Sequence, residues 1–169
     1  DAKLDGIRVQ VHRDGDDVAV FSRSLDDITS RVPGVVAAAR ELPVRVAVLD
    51  GEALGVDPGG RPLPFQETSS RAARRDGALP VQPFFFDVLH LDGADLLDAP
   101  LAERWAALAG AVPEAALVAH AEVGGVEAAD AAWRSALAAG HEGLVVKSAA
   151  APYDVGRRGS AWVKVKPRH

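Results

Sequence analysis

The 169-residue chain contains no cysteine, no methionine, only one tyrosine, and no apolar run of membrane-spanning length. Without cysteine, disulfides and thiolate zinc sites are excluded. Without methionine, the sequence as given has no initiator residue and reads as a piece of a longer polypeptide. Positive charge is also in short supply: 19 Lys and Arg stand against 24 Asp and Glu, a net charge of −5. A domain that grips nucleic acid unaided needs the opposite balance, because phosphate contacts supply most of that affinity. No signal peptide is present, so a cytoplasmic protein with no membrane partner is expected. The five histidines, His12, His90, His120, His141 and His169, lack the close pairing of a zinc site, and none is assigned a catalytic role.

What is present suffices for one domain. At 48% hydrophobic content the chain can bury about two-thirds of its extended surface. Its charge is uneven, since residues 157–169 hold Arg157, Arg158, Lys164, Lys166 and Arg168 with no acid among them. An anion is expected near that end.

Alternation of Ile7, Val9 and Val11 with Arg8, Gln10 and His12 predicts a half-buried strand, with Arg8 off the apolar face. Asp14-Gly15-Asp16-Asp17 turns the chain into a second strand, 18–21, which ends at Arg23. A helix begins at Pro33 and stops before Pro43. The run 44–49 predicts a buried strand whose end presents Glu52, where a carboxylate beside glycine can bind a ribose hydroxyl or a metal, though solvation is commoner. Helices are predicted over 65–75, 101–109 and 126–139, the last capped by Gly140. Phe84, Phe85 and Phe86 lie in one strand, so Phe84 and Phe86 share a side opposite Phe85, one side core and the other a platform for a base. Strands at 142–147 and 162–166 flank a loop, and the second directs Lys164 and Lys166 to one face. Two like charges in one patch cost energy unless an anion lies between them. This turn-rich pattern of short strands favours an α+β fold over a doubly wound sheet.

The stretch Lys3-Leu4-Asp5-Gly6-Ile7-Arg8 organises the rest. A lysine before an Asp-Gly turn, with an arginine after it, can hold an amine beside a phosphate. A lone lysine before a hairpin is commonly only a solvated charge, and the other motifs decide. The ordered set KLDGIR, FSR, LDGE, FFFD, EGLVVK and WVKVK resembles the nucleotidyltransferase signature of ATP-dependent DNA ligases, and it covers the chain from end to end.

That resemblance implies an α+β core of two packed, mostly antiparallel sheets flanked by helices, ATP-grasp-like, with ATP between them. It implies that residues 1–169 are an adenylation domain fragment whose DNA-binding and OB domains lie outside the sequence, with nicked double-stranded DNA as partner of the complete enzyme. Lys3 would attack the α-phosphate of ATP and become lysyl-AMP. Arg8 and Arg23 would hold the ribose and phosphate side, Glu52 the ribose, and Phe86 the adenine. Glu142 would bind Mg²⁺, Lys164 and Lys166 would lie near the α-phosphate, and Arg158 would contact the nucleotide. Asp1 stands where many relatives carry a glutamate near the adenine amine. An ordinary lysine is on the order of one part in a thousand unprotonated at neutral pH, so a nucleophilic one needs neighbouring cations or burial. The same cations stabilise charge developing on the α-phosphate. RNA ligases and GTP-using capping enzymes share this core, and a non-catalytic nucleotide- or DNA-binding module is the alternative of a different class.

Overall fold

The structure is a computed structural model that describes residues 1–72, 78–156 and 159–167. Its fold is α+β, with one five-stranded and one two-stranded antiparallel sheet and four α-helices among those residues. Ile7–Asp14 (β1) and Asp17–Ser22 (β2) form the expected hairpin, closed by Gly15 at φ 60°. Pro33–Arg40 (α1) packs over it, burying Val35 and Ala39. Val46–Leu54 (β3) pairs with β1, Gln82–Leu91 (β4) pairs with β3, and Ala94–Asp95 (β5) completes the order β2-β1-β3-β4-β5. Phe65–Ala72 (α2), Leu101–Ala111 (α3) and Val126–Ala138 (α4) are the other helices, and Gly140, at φ 83°, follows α4 as a cap. Residues 73–75 of the predicted second helix lie outside the described residues.

The core lies on one face of the large sheet, where Val9, Val11, Leu49, Phe85 and Val88 meet Val35 and Leu108, all fully buried. That places Phe85 inward and leaves Phe84 and Phe86 for the other face, as the alternation requires. Simple alternation is interrupted at two places in β4, at Leu89 and at Phe86. Gly51 pairs with Phe85 but Asp50 pairs with Asp87, so Phe86 is an extra residue in β4, a β-bulge. A bulge re-aims side chains, and here both Phe86 and Asp87 turn away from the core. β3 also differs from expectation, because it runs on through Asp50-Gly51-Glu52. Glu52 is therefore a mid-strand residue held opposite Arg8 and Phe84, not a free strand end.

Leu144–Lys147 (β6) and Trp162–Val165 (β7) form the second sheet. Residues 1–3 extend it: the Val145 amide donates to the Asp1 carbonyl at 2.8 Å, and the Lys3 amide donates to the Gly143 carbonyl at 2.8 Å. On their other side the Ala2 amide donates to the Ala119 carbonyl at 2.8 Å. The start of the chain is thus an inner strand, with Asp1 and Lys3 on one face and Ala2 on the other. Gly143 has φ 153° and a Cβ there would collide with the Val165 carbonyl, so only glycine lets β7 approach.

The connection between β6 and β7 is pinned to the first sheet through α3. Leu101 and Ala102, whose amides at the helix start have no partner within the helix, donate to the Ala151 and Ala149 carbonyls, each at 3.0 Å. Arg104, fully buried, donates from Nε to Asp87 Oδ1 at 2.7 Å, from Nη2 to Oδ2 at 3.0 Å, and from Nη1 to the Ala99 and Ala151 carbonyls at 2.7 and 3.1 Å. Desolvating two charges is costly, and this pair persists because the fork geometry and the carbonyls satisfy its donors. Arg104→Ala should destabilise the fold by about 3–5 kcal/mol in urea unfolding, because it strands the Asp87 carboxylate. Replacing both partners, Arg104→Met with Asp87→Leu, should recover most of that loss.

Candidate active site between the two sheets

The non-core face of the large sheet looks across at the lysine-bearing face of the small one. Register defines both sets. Arg8 pairs with Glu52, Glu52 with Phe84, and Asp50 with Asp87, which puts these side chains together on the first face. On the second, Val145 pairs with Lys164 and Lys147 with Trp162, so Lys147, Trp162 and Lys164 share the side of Asp1 and Lys3.

At one edge, Glu142 accepts from Lys3 Nζ through Oε2 and from Lys166 Nζ through Oε1. Burial works against the Glu142 carboxylate, but hydrogen bonds from Lys166 and Lys3 hold it below the ordinary range. Glu142 sits just before the strand, at the turn that Gly143 makes possible, and this lets one carboxylate serve two lysines. Lys164 projects from the same sheet with no ion-pair partner among the described residues.

In the middle, Arg8 donates from Nε to Asp50 Oδ1 at 3.1 Å and from Nη2 to Asp50 Oδ2 at 2.6 Å. The Asp50 hydrogen bond raises the affinity of Arg8 for its proton. Tyr153 joins them, donating from its hydroxyl to Asp50 Oδ2 at 2.6 Å and accepting from Arg8 Nη2 at 3.2 Å. Glu52 accepts the Gly6 amide at 3.2 Å, and burial pushes its carboxyl up to about 6 against the opposing pull of that amide and of Arg8.

Further in, Lys147 forms an ion pair with Asp1, both almost fully buried. Its ammonium lies 4.5 Å from the Phe86 ring centre and 4.1 Å from that of Trp162, inside cation–π range. Burial brings the Lys147 ammonium down to about 8. Asp1 also accepts from His120 Nδ1 at 2.7 Å, and the His120 ring stacks on Trp105 at 3.8 Å.

Beside this cluster lies a cavity of about 590 Å³ bordered by Leu4, Pro62, Phe84, Trp105, His120 and His141, among others. Leu4 lines it, whereas Lys3, Glu142 and Lys166 do not. Phe84 is the phenylalanine that borders it, whereas Phe86 is covered by Trp162, edge-on at 5.8 Å, and by Lys147.

The expected site residues therefore divide. Lys3, Glu142 and Lys166 converge, and Arg8 and Glu52 face them across the cleft. Asp1 is in the cleft, but its carboxylate is engaged by Lys147 and His120. Phe86 lies on the expected side as a wall of the lysine cluster, not of the cavity. Arg23 is exposed one residue beyond β2, opposite Arg8 if the register is extended, and no described contact joins it to the others. Arg158 lies outside the described residues. Asp50, Tyr153, Trp162 and His120 were not singled out, and Lys147 was read only as a charge at a strand end. The available signals were their places in the motifs, Asp50 inside LDGE, Lys147 at the end of EGLVVK and Trp162 at the head of WVKVK, whereas Tyr153 and His120 lie outside them.

Glu52 gives the site a measurable pH dependence. In the unfolded chain its carboxyl titrates near the ordinary 4.5, and in the folded protein near 6. Between these values the folded state binds the extra proton, so stability falls as pH rises through the window, by about 2 kcal/mol in full. Glu52→Gln should flatten that part of the profile, measured by urea unfolding from pH 4.5 to 7. Parallel profiles for the two proteins would refute the buried-carboxylate account.

The ATP dependent DNA ligase domain family matches residues 1–166. A probable DNA ligase of Beutenbergia cavernae is 56% identical over 173 residues, covering 100% of this chain and 34% of that protein. One of a Nocardioides species is 57% identical over 169 residues, covering 100% and 33%. The chain thus spans about a third of the length of these relatives. Of solved structures, the ligase domain from M. tuberculosis LigD is similar at TM-score 0.77 and 31% identity, over 98% of this chain and 53% of that one. A mycobacterial DNA ligase D complexed with ATP and MES gives TM-score 0.74 and 30% identity over 98% and 53%. A match that begins at the first residue and ends at the lysine bonded to Glu142 takes in both walls of the cleft, and the chain belongs to the ATP dependent DNA ligase domain family.

Proposed function

We propose that this chain is the adenylation domain of an ATP-dependent DNA ligase and that Lys3 is its nucleophile. The convergence of Lys3, Glu142 and Lys166, with Arg8 and Glu52 across the cleft, carries the reading. It is supported by the probable DNA ligases among the relatives and by the ATP complex of a similar mycobacterial ligase.

In this reading Lys3 Nζ, once its proton is lost, attacks the α-phosphorus of ATP. A P–N bond forms, the P–O bond to pyrophosphate breaks, and the electron pair leaves with pyrophosphate. Lys166 and Lys164 stabilise the charge that develops on the phosphate oxygens. Arg8 and Glu52 bind the ribose side, with Glu52 ionised to accept from a hydroxyl. The base stacks on Phe86, the ring just before Asp87 on the cleft face of β4. Arg23 joins the nucleotide from the rim, and Arg158 is a further nucleotide-contacting arginine. In the longer polypeptide the AMP passes to the 5′-phosphate of a nick, and the 3′-hydroxyl displaces it.

A magnesium ion fits this arrangement only in part from the protein's side. Glu142 is a single carboxylate, and among the described residues no group of three or more His, Asp or Glu could hold a metal. Mg²⁺ is commonly held by one or two carboxylates together with substrate phosphates, so Glu142 would hold it jointly with ATP. When bound, it would supply Lewis-acid stabilisation of phosphate charge.

Incubation with Mg²⁺ and ATP should add one adenylyl group to the intact mass, and Lys3→Ala should abolish the gain. GTP and NAD in parallel separate the alternatives: a guanylyl adduct would favour a capping-type enzyme, and no adduct from folded protein a binding module. Phe86→Leu should raise the ATP concentration for half-maximal adduct formation by roughly tenfold, from the worth of one base–aromatic stack.

A further inference from the structure

The only tyrosine of the chain stands between the two sheets, and its hydroxyl completes a closed ring of hydrogen bonds with Arg8 and Asp50. Arg8 belongs to β1 of the first sheet. Tyr153 belongs to the connection that joins the strands of the second. We propose that Tyr153 is a positioning residue for Arg8, which latches the lysine-bearing sheet to the first sheet and aims the guanidinium at the nucleotide; this rests on the adenylation reading.

Three observations support it. Asp50 is almost fully buried while the Arg8 side chain is 41% exposed, so Arg8 is anchored at its inner edge and open on its outer one. Asp50 Oδ2 takes both the short bond from Arg8 Nη2 and the Tyr153 hydroxyl, so the phenol fixes which way the carboxylate plane faces and, through it, the guanidinium. Tyr153 is itself held at four points. Its amide donates to the Leu97 carbonyl at 2.9 Å, its ring meets the edge of Trp162 at 6.0 Å, Arg104 lies 5.8 Å above its ring, and the hydroxyl closes the set. A phenol this constrained holds a direction. Burial and the neighbouring Asp50 both keep its proton in place, so it remains a donor to Asp50.

Trp162 extends the same argument to the second sheet. It touches Tyr153, Phe86 and Lys147 at once, so a shift of β7 relative to β4 would be felt by the tyrosine ring. The separation of the two faces and the aim of Arg8 are thereby tied together.

The test uses Tyr153→Phe, which keeps the ring and removes only the hydroxyl. At saturating ATP, adduct formation should slow by about ten- to a hundredfold, the range for a misaimed reacting partner. In an Arg8→Lys background the same change should slow it less than twofold, because the group being aimed has gone. A purely structural tyrosine would give equal losses in both backgrounds, and that result overturns the proposal. So does a Tyr153→Phe rate within twofold of the parent. A parent chain that forms no adduct would overturn the adenylation reading instead. The second measurement needs neither turnover nor a folded variant at position 153. Growth on 3-fluorotyrosine labels this one site, and its single fluorine resonance should shift on Arg8→Lys. An unmoved resonance also counts against the latch.

Discussion

The cleft must hold a group of cations close together before any anion arrives to neutralise them. Two unit charges about 4 Å apart interact by roughly 4 kcal/mol at the effective dielectric of a protein surface, so an unpaired cluster of Lys3, Lys147, Lys166 and Arg8 would strain the fold that creates it. The chain answers with one carboxylate for each part of the cluster. Glu142 serves Lys3 and Lys166, Asp1 serves Lys147, and Asp50 serves Arg8. Asp87 and Arg104 beneath them form a fully buried pair of the same kind.

Backbone geometry delivers these groups with little help from loops. In each sheet, alternation sends apolar side chains one way and charged ones the other, so two strands bring Arg8, Asp50 and Glu52 to one face without further device. The bulge at Phe86 adds what alternation cannot. It lets consecutive residues face the cleft side, one covering Lys147 and the next gripping Arg104. Residues 1–3, as an inner strand between residue 119 and β6, bring Lys3 to the edge where Glu142 turns in.

Much of this was legible from the chain. The hairpin, the outward aim of Arg8, the inward aim of Phe85 and the strands carrying the lysines all follow from period-two patterns, which are local. Lys3, Glu142 and Lys166 were legible because each sits in a motif of adjacent residues. Tyr153 with Asp50, and His120 with Asp1, were not, since their partners lie 103 and 119 positions away and no local pattern announces them. The place of Phe86 in a bulge was not legible either, because the extra residue depends on the pairing of β4 with β3, which only the assembled sheet reveals. Glu52 was expected at a strand end because Asp-Gly commonly ends strands. Here a Cβ at Gly51 would crowd the Phe84 carbonyl and the Phe85 ring, so the glycine serves close approach rather than a turn.

The four carboxylate pairs also differ in a way that orders their roles. Asp87 and Arg104 are both at 0% exposure, and Asp1 and Lys147 at 5% and 6%. Asp50 is at 3% against 41% for Arg8, and Glu142 is at 35%. A buried partner is costly to remove, because the charge left behind loses solvent as well as its counter-ion. An exposed one is cheap to exchange, because water and ligand compete on similar terms. The gradient therefore runs from a pair that belongs to the scaffold to one that is open to exchange. Its open end is at Lys3, whose partner Glu142 is the most exposed of the four carboxylates, and its fixed end is at Arg104, which anchors the connection that carries Tyr153.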